Sequence, residues 1–306
     1  MTAHVVHQFV EATTARGPRA FYSGYLSQVT RLVVVHDGVD GLLTHVISRT
    51  GESPVIAWHS TIPGASLRGV WFPSRREAWI DPEIWRHYAP AYSPEIVHVS
   101  SSRPATPYPD YVERSAVSRF LQAAHAFLTD RGDDGWFERA PALEQMIRQL
   151  PPQSVPGRDE HYFGSPLTDH GPQSFLPDRF AELAVTIHLG GWRSWDKFQV
   201  IRRLGEIALC QGYRVEFYHD TLDPAAIDHI ILPEAGWGIT NATSPHHLPS
   251  GQKAFWYDPP RSRGPSEDCL TGFYLAYSEA WRQLWSEAPP VGSSRLTVPL
   301  TMPSVR

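Results

Sequence analysis

The feature that most constrains this chain is that it repeats itself. His7-Gln-Phe9-x4-Thr14-x2-Gly17-Pro18-x2-Phe21 returns as His161-Tyr-Phe163-x4-Thr168-x2-Gly171-Pro172-x2-Phe175, with one constant offset of 154. A second block returns at an offset of 160: His59, Thr61, Ala65 and Pro73 match His219, Thr221, Ala225 and Pro233. Between them the apolar Leu67, Val70, Trp71 and Phe72 match Ile227, Ile230, Ile231 and Leu232. Two blocks in one order point to a duplication, and repeats define architecture before any local signal does. The change of offset places about six extra residues in the second copy, most simply in its first helix. Length fits two units of ordinary size in 306 residues. The Pro-rich segment Pro151–Gly157 marks the boundary, so the expected units are residues 1–150 and 151–306.

Each copy opens with its HxF…TxxGPxxF block, expected as an irregular lead-in because Gly-Pro breaks regular structure. Short β-branched runs follow, Leu32–Val35 and Leu183–Ile187, of the kind found in buried parallel strands. Helices are expected at 41–48 and 195–211, the second with Phe198, Ile201, Leu204 and Ala208 on one face. Second strands at 55–58 and 214–218 end in His59 and in His219-Asp220. Third strands at 69–72 and 229–232 each run into a Pro, and short apolar pieces follow at 78–80 and 237–240. Further helices are expected at 112–128, 141–150 and 269–287, the last rich in Tyr and Trp, before a loose tail from 288. The expected fold class is α/β: two duplicated halves, each a mainly parallel sheet flanked by helices, with ligands at the C-terminal strand ends.

The chemistry concentrates in Ala184–Tyr213, a strand, a Gly-rich turn and a helix. Gly191, four residues, then Asp196-Lys197-Phe198 comes close to G-x-x-x-x-G-K-[ST], the loop that cradles phosphate with backbone N–H groups at a helix N-terminus. Asp196 stands for the second Gly and Phe198 for the hydroxyl that would hold Mg²⁺. Gly190 and Gly191 permit close backbone approach, and Arg193 and Ser194 offer donors. Of the 27 basic residues only Lys197 and Lys253 are Lys, so a compact movable charge at this position is notable. In the first copy the matching stretch is His36–Thr44, where Leu42 and Leu43 replace Lys and Ser/Thr and Asp37 and Asp40 add negative charge. Nucleotide binding is not expected there.

Three further residues are candidates. Asp220 could accept a proton from a substrate hydroxyl, His219 could assist it near neutral pH, and Glu234 could orient a metal or water. The first copy has Ser60 and Ser74 at the two carboxylate positions. His246-His247 has no recognised metal-ligand spacing, and no metal ligand set is assigned. The two Cys are far apart and read as reduced thiols. No signal peptide and no run of about 18 apolar residues is seen, so the expectation is a cytoplasmic protein without a membrane partner. A net charge of −5 with no basic run argues against a dedicated nucleic-acid binder.

These blocks, with Gly212–His219, Asp223–Glu234 and Asn241–His246, resemble a family of tandem P-loop ATPase-like proteins common in spore-forming Firmicutes. The resemblance implies an ATP-binding fold, with ATP and Mg²⁺ as the ligands a working member would hold. Both loops depart from the family pattern. The reading is therefore a pseudo-NTPase that serves as scaffold or ligand sensor, with nucleotide or phosphate binding retained only in the second copy. Two alternatives stand beside it: an active ATPase or small-molecule kinase using Lys197, Asp220 and Glu234, and a protein-interaction module that docks a partner on the aromatic helix at 269–287.

Overall fold

The computed structural model describes residues 4–100 and 135–258, apart from 37–38, 52–53, 62–66, 89–93, 169–170, 192, 244–247 and 250, and isolated positions elsewhere. The helices expected at 112–128 and 269–287, the tail, and His246-His247 lie outside the described residues or have only isolated positions within them.

The first copy contributes β1 (Val5–Thr14), β2 (Gly17–Ala20), α1 (Tyr22–Leu26), β3 (Arg31–His36), α2 (Val39–Arg49), β4 (Val55–Ser60), β5 (Leu67–Phe72), β6 (Glu77–Ile80), α3 (Pro82–Tyr88) and β7 (Glu95–Ser100). After α4 (Trp136–Arg148) the second contributes β8 (Arg158–Phe163), β9 (Leu167–Thr168), β10 (Gly171–Pro172), α5 (Leu176–Ala181), β11 (Val185–Leu189), α6 (Trp195–Cys210), β12 (Arg214–His219), β13 (Ile227–Leu232), β14 (Trp237–Asn241) and β15 (Lys253–Tyr257). One sheet runs β15-β11-β14-β13-β12-β8-β1-β4-β5-β6-β3-β7, a mirrored order about its centre. There β1 and β8 pair antiparallel through Phe9 and Phe163, which are equivalent residues of the two copies.

Register repeats with the order. Ile56 faces Trp71 as Glu216 faces Ile231, and both pairs shift register at the same place, between Trp58 and His59 and between Tyr218 and His219. Arg31 pairs with Glu77 as Val185 pairs with Trp237. The extra residues of the second copy fall between β11 and β12, where α6 has 16 residues against 11 in α2.

Two expectations change. The sheet is mixed rather than mainly parallel: β4–β5–β6 and β12–β13–β14 are antiparallel meanders, while β1–β4, β3–β6, β3–β7 and their counterparts are parallel. The cause is link length. Residues 220–226 join β12 to β13, and a parallel crossover needs a dozen or more residues. The opening blocks, in turn, are not irregular. They form the central strands, and each T-x-x-G closes the turn that follows: the Thr14 hydroxyl donates to the Gly17 carbonyl at 2.6 Å and Thr168 to Gly171 at 2.9 Å. Gly17 and Gly171 have φ of 94° and 91°, conformations that favour glycine.

Several apolar cores flank the sheet among the described residues: one packs α2 on the first half's strands through Val33, Leu43, Val70 and Phe72, and two others are larger. One of these gathers Tyr22, Tyr25, Trp58, Tyr162, Phe180 and Tyr218 beneath α1, α3 and α5. The other packs α4 and α6 on β11–β14 through Trp136, Leu143, Ile201, Leu204 and Phe217. Gly205 permits that contact, since a Cβ there would lie 2.4 Å from the Phe217 ring.

Candidate functional site

The loop after β11 is drawn tightly into the protein. The Gly190 N–H donates to the Tyr257 carbonyl at 2.8 Å, and a Cβ on Gly190 would lie 2.8 Å from an Asp258 carboxylate oxygen. Gly190 is thus needed for the close approach of the end of β15. Gly191 has φ of 77° and turns the chain toward α6.

Lys197, in the first turn of α6, is fully buried. Its Nζ donates to the Thr243 hydroxyl at 2.9 Å and faces the carbonyls of Leu189, Gly190 and Gly191 at 3.4, 3.1 and 3.4 Å. The Trp136 ring centroid lies 6.0 Å away, within cation–π reach. An ammonium has three protons, so the loop itself supplies acceptors for all of them. Asp196 directs its carboxylate to backbone groups, accepting the Trp136 N–H at 3.0 Å and the Lys197 N–H at 3.1 Å. A carboxylate in the first turn of a helix is favoured by the helix dipole. Here Asp196 itself occupies that position.

Arg193 and Asp220 form a buried ion pair; each is at most 5% exposed. Asp220 also accepts the Leu222 N–H at 3.0 Å through Oδ1 and the Asp223 N–H at 3.3 Å through Oδ2. Its oxygens are committed to holding the β12–β13 turn. Asp223, in the same turn, reaches Arg16 of the first copy at 3.1 Å. Among the described residues the Ser194 hydroxyl is buried without a hydrogen-bond partner.

His219 does not partner Asp220. Its Nδ1 lies 2.6 Å from the Pro224 carbonyl, which can only accept, so Nδ1 carries the proton. Its Nε2 lies 2.8 Å from His161 Nδ1. Burial, then the neighbouring His161, pushes its pKa down to about 3, which keeps the ring neutral. The first copy repeats the contact, with His7 Nδ1 2.9 Å from His59 Nε2. Phe21 stacks on His219 at 4.6 Å between ring centroids and Phe175 packs on His59 at 4.8 Å, so each copy covers the His pair of the other.

The structure therefore places Gly190, Gly191, Arg193 and Ser194 on one loop with Lys197 in the first turn of the helix that follows, and joins Asp220 to them through Arg193. Glu234 is elsewhere. It follows β13, which runs antiparallel to β12, and lies 3.3 Å from Arg214 at the start of β12, the edge opposite Asp220. Thr243, Trp136, Arg16 and His161 were not singled out by sequence reasoning. Thr243 lies in the Asn241-Ala-Thr243 stretch that followed a recognisable strand, and His161 is the first residue of the repeat. Trp136 and Arg16 carry no sequence signal of their role.

Comparison of the chain with protein-family models, with curated proteins and with solved structures gave no significant match.

Proposed function

We propose that the chain is a pseudo-NTPase: a tandem of P-loop-like halves that works as a scaffold or ligand sensor without phosphoryl transfer. The observation that carries this reading is the enclosure of Lys197 by three loop carbonyls and the Thr243 hydroxyl. In a phosphate-binding loop the ammonium reaches the β- and γ-phosphates. Here it would first have to leave the Thr243 hydroxyl and the three loop carbonyls. The engagement of Asp220 by Arg193 supports the same reading, because a general base needs a lone pair offered to the substrate.

A second reading, a retained phosphate-bearing ligand at this loop, is favoured by the buried Ser194 hydroxyl beside the N-terminus of α6, which has no hydrogen-bond partner among the described residues. Calorimetry of ATP with Mg²⁺ separates the two. The expected result is no saturable heat at millimolar nucleotide and no phosphate release. A saturable heat that disappears in Lys197→Ala would replace the first reading with the second, and turnover would establish an ATP-dependent enzyme.

A further inference from the structure

A loop that holds phosphate turns its backbone N–H groups inward. The loop after β11 does the reverse. The carbonyls of Leu189, Gly190 and Gly191, three residues in succession, face one point, where Lys197 Nζ stands at 3.4, 3.1 and 3.4 Å. The Gly190 N–H is committed to the Tyr257 carbonyl at 2.8 Å.

The fourth oxygen at this point is oriented by its neighbours. The Asn241 side-chain N–H₂ donates to Asp228 at 2.8 Å, which turns its carbonyl oxygen toward Thr243. The Thr243 hydroxyl has one proton, and the Gly191 carbonyl and that Asn241 oxygen both lie 2.7 Å from it. Both can only accept, so a lone pair of Thr243 faces Nζ at 2.9 Å. Four oxygens thus present lone pairs to one buried centre, with Lys197 at 0% and Thr243 at 5% exposure. None of the four offers a proton to an amine lone pair, so the group they fit is a cation.

We propose that this loop is a binding site for a monovalent cation and that the Lys197 ammonium is its permanent occupant. Backbone carbonyls replace the hydration shell of K⁺ in potassium-selective pores, and an ammonium has three protons for such a set. The ligand class is K⁺, ammonium or the charged end of a primary alkylamine. A divalent ion is disfavoured, because no carboxylate is among the four oxygens. The proposal rests on the pseudo-NTPase reading of this loop and deepens it: the cradle has the opposite sign to one that holds phosphate.

The test empties the site in the full chain. Lys197→Ala removes the ammonium and leaves the space it filled. Urea unfolding is followed in choline chloride, KCl, ammonium chloride and propylammonium chloride at equal ionic strength. The expected midpoint is lowered in choline, an ion too bulky for the vacated space, and raised again by the other three in a saturable way. Wild type shows no preference among the salts. Lys197→Met refills the space without charge and shows the loss with no recovery. Thr243→Val added to Lys197→Ala lowers the apparent K⁺ affinity about 10-fold or more. Where Lys197→Ala does not fold in choline, the readout is refolding from urea on addition of KCl or propylammonium chloride, and no refolding overturns the proposal. So does equal recovery in choline, which leaves bulk screening only, and so does a Lys197→Ala midpoint equal to that of wild type in choline. ATP calorimetry on the wild type reads the pseudo-NTPase assignment separately: a saturable nucleotide heat overturns that assignment, while the salt series decides this one.

Discussion

Val6 and Ile56 lie side by side in β1 and β4; at the same register positions of β8 and β12 stand Glu160 and Glu216. Both carboxylates are buried, at 5% and 2% exposure, in a strand interior where the first copy is apolar. Arg179 grips Glu216 with contacts of 2.7 and 2.8 Å, Arg214 reaches Glu160 at 3.2 Å, and the Tyr162 and Tyr218 hydroxyls donate to the same pair. Burial, then Glu216, raises the Tyr218 pKa well above its ordinary value and keeps the phenol protonated as a donor. The exchange also runs the other way. Arg31 pairs with Glu77 where the second copy has Val185 and Trp237, and Arg68 pairs with Asp81 where Asn241 donates to Asp228. One backbone thus tolerates charge or its absence at equivalent positions, provided each buried charge arrives with its partner.

Making the second copy resemble the first at a single position has the largest expected effect. Asp220→Ser introduces the residue found at Ser60 but leaves Arg193 buried without its carboxylate. The expected loss is about 3–5 kcal/mol by urea denaturation. Asp220→Ser with Arg193→Met recovers most of it, and an equal loss in both variants breaks the pairing rule.

Phe21→Ala and Phe175→Ala come next. Each removes a half-buried ring from the His pair of the opposite copy, with an expected cost of about 1–3 kcal/mol. Similar losses sharpen the two-fold comparison. A loss in only one shows that one copy carries the contact.

His188 follows. It is buried against Trp256 at a ring distance of 4.1 Å, and burial lowers its pKa. A histidine kept neutral in the fold is protonated more readily when unfolded, so stability falls as pH drops below about 6.5. The slope is at most ~1.4 kcal/mol per pH unit. Val34, the first-copy counterpart, has no such term, and His188→Val flattens the acid side of the curve measured from pH 7 to 5. The smallest effect belongs to Glu234→Ala. The side chain is 44% exposed, so a change below about 0.5 kcal/mol is expected. A larger loss contradicts its placement at the outer edge.

The repeat made the order of elements legible, because two copies at fixed offsets must fold alike. Strand direction was legible too, but from a different signal: residues 220–226 are too few to cross over, whatever the alternation of strands and helices implies. A parallel β13 would end at the same sheet edge as Asp220; the antiparallel strand carries Glu234 to the opposite edge, beside Arg214. The loop after β11 shows a different limit. Its glycines, Lys197 and helix start were readable, but a sequence does not say that Thr243 and three carbonyls take up the ammonium. Nor does a repeat say which copy a side chain packs against, and so the crossing of Phe21 and Phe175 was invisible although both residues were aligned.

That crossing has a mechanical consequence. Each His pair is roofed by a ring from the other half, and β1 pairs with β8 at the centre of the sheet through Phe9 and Phe163. Cutting the exposed connection at Pro151–Gly157 therefore severs the polypeptide without removing what binds its two sides. A nicked protein should stay together as a noncovalent complex, and the two fragments should complement each other when mixed.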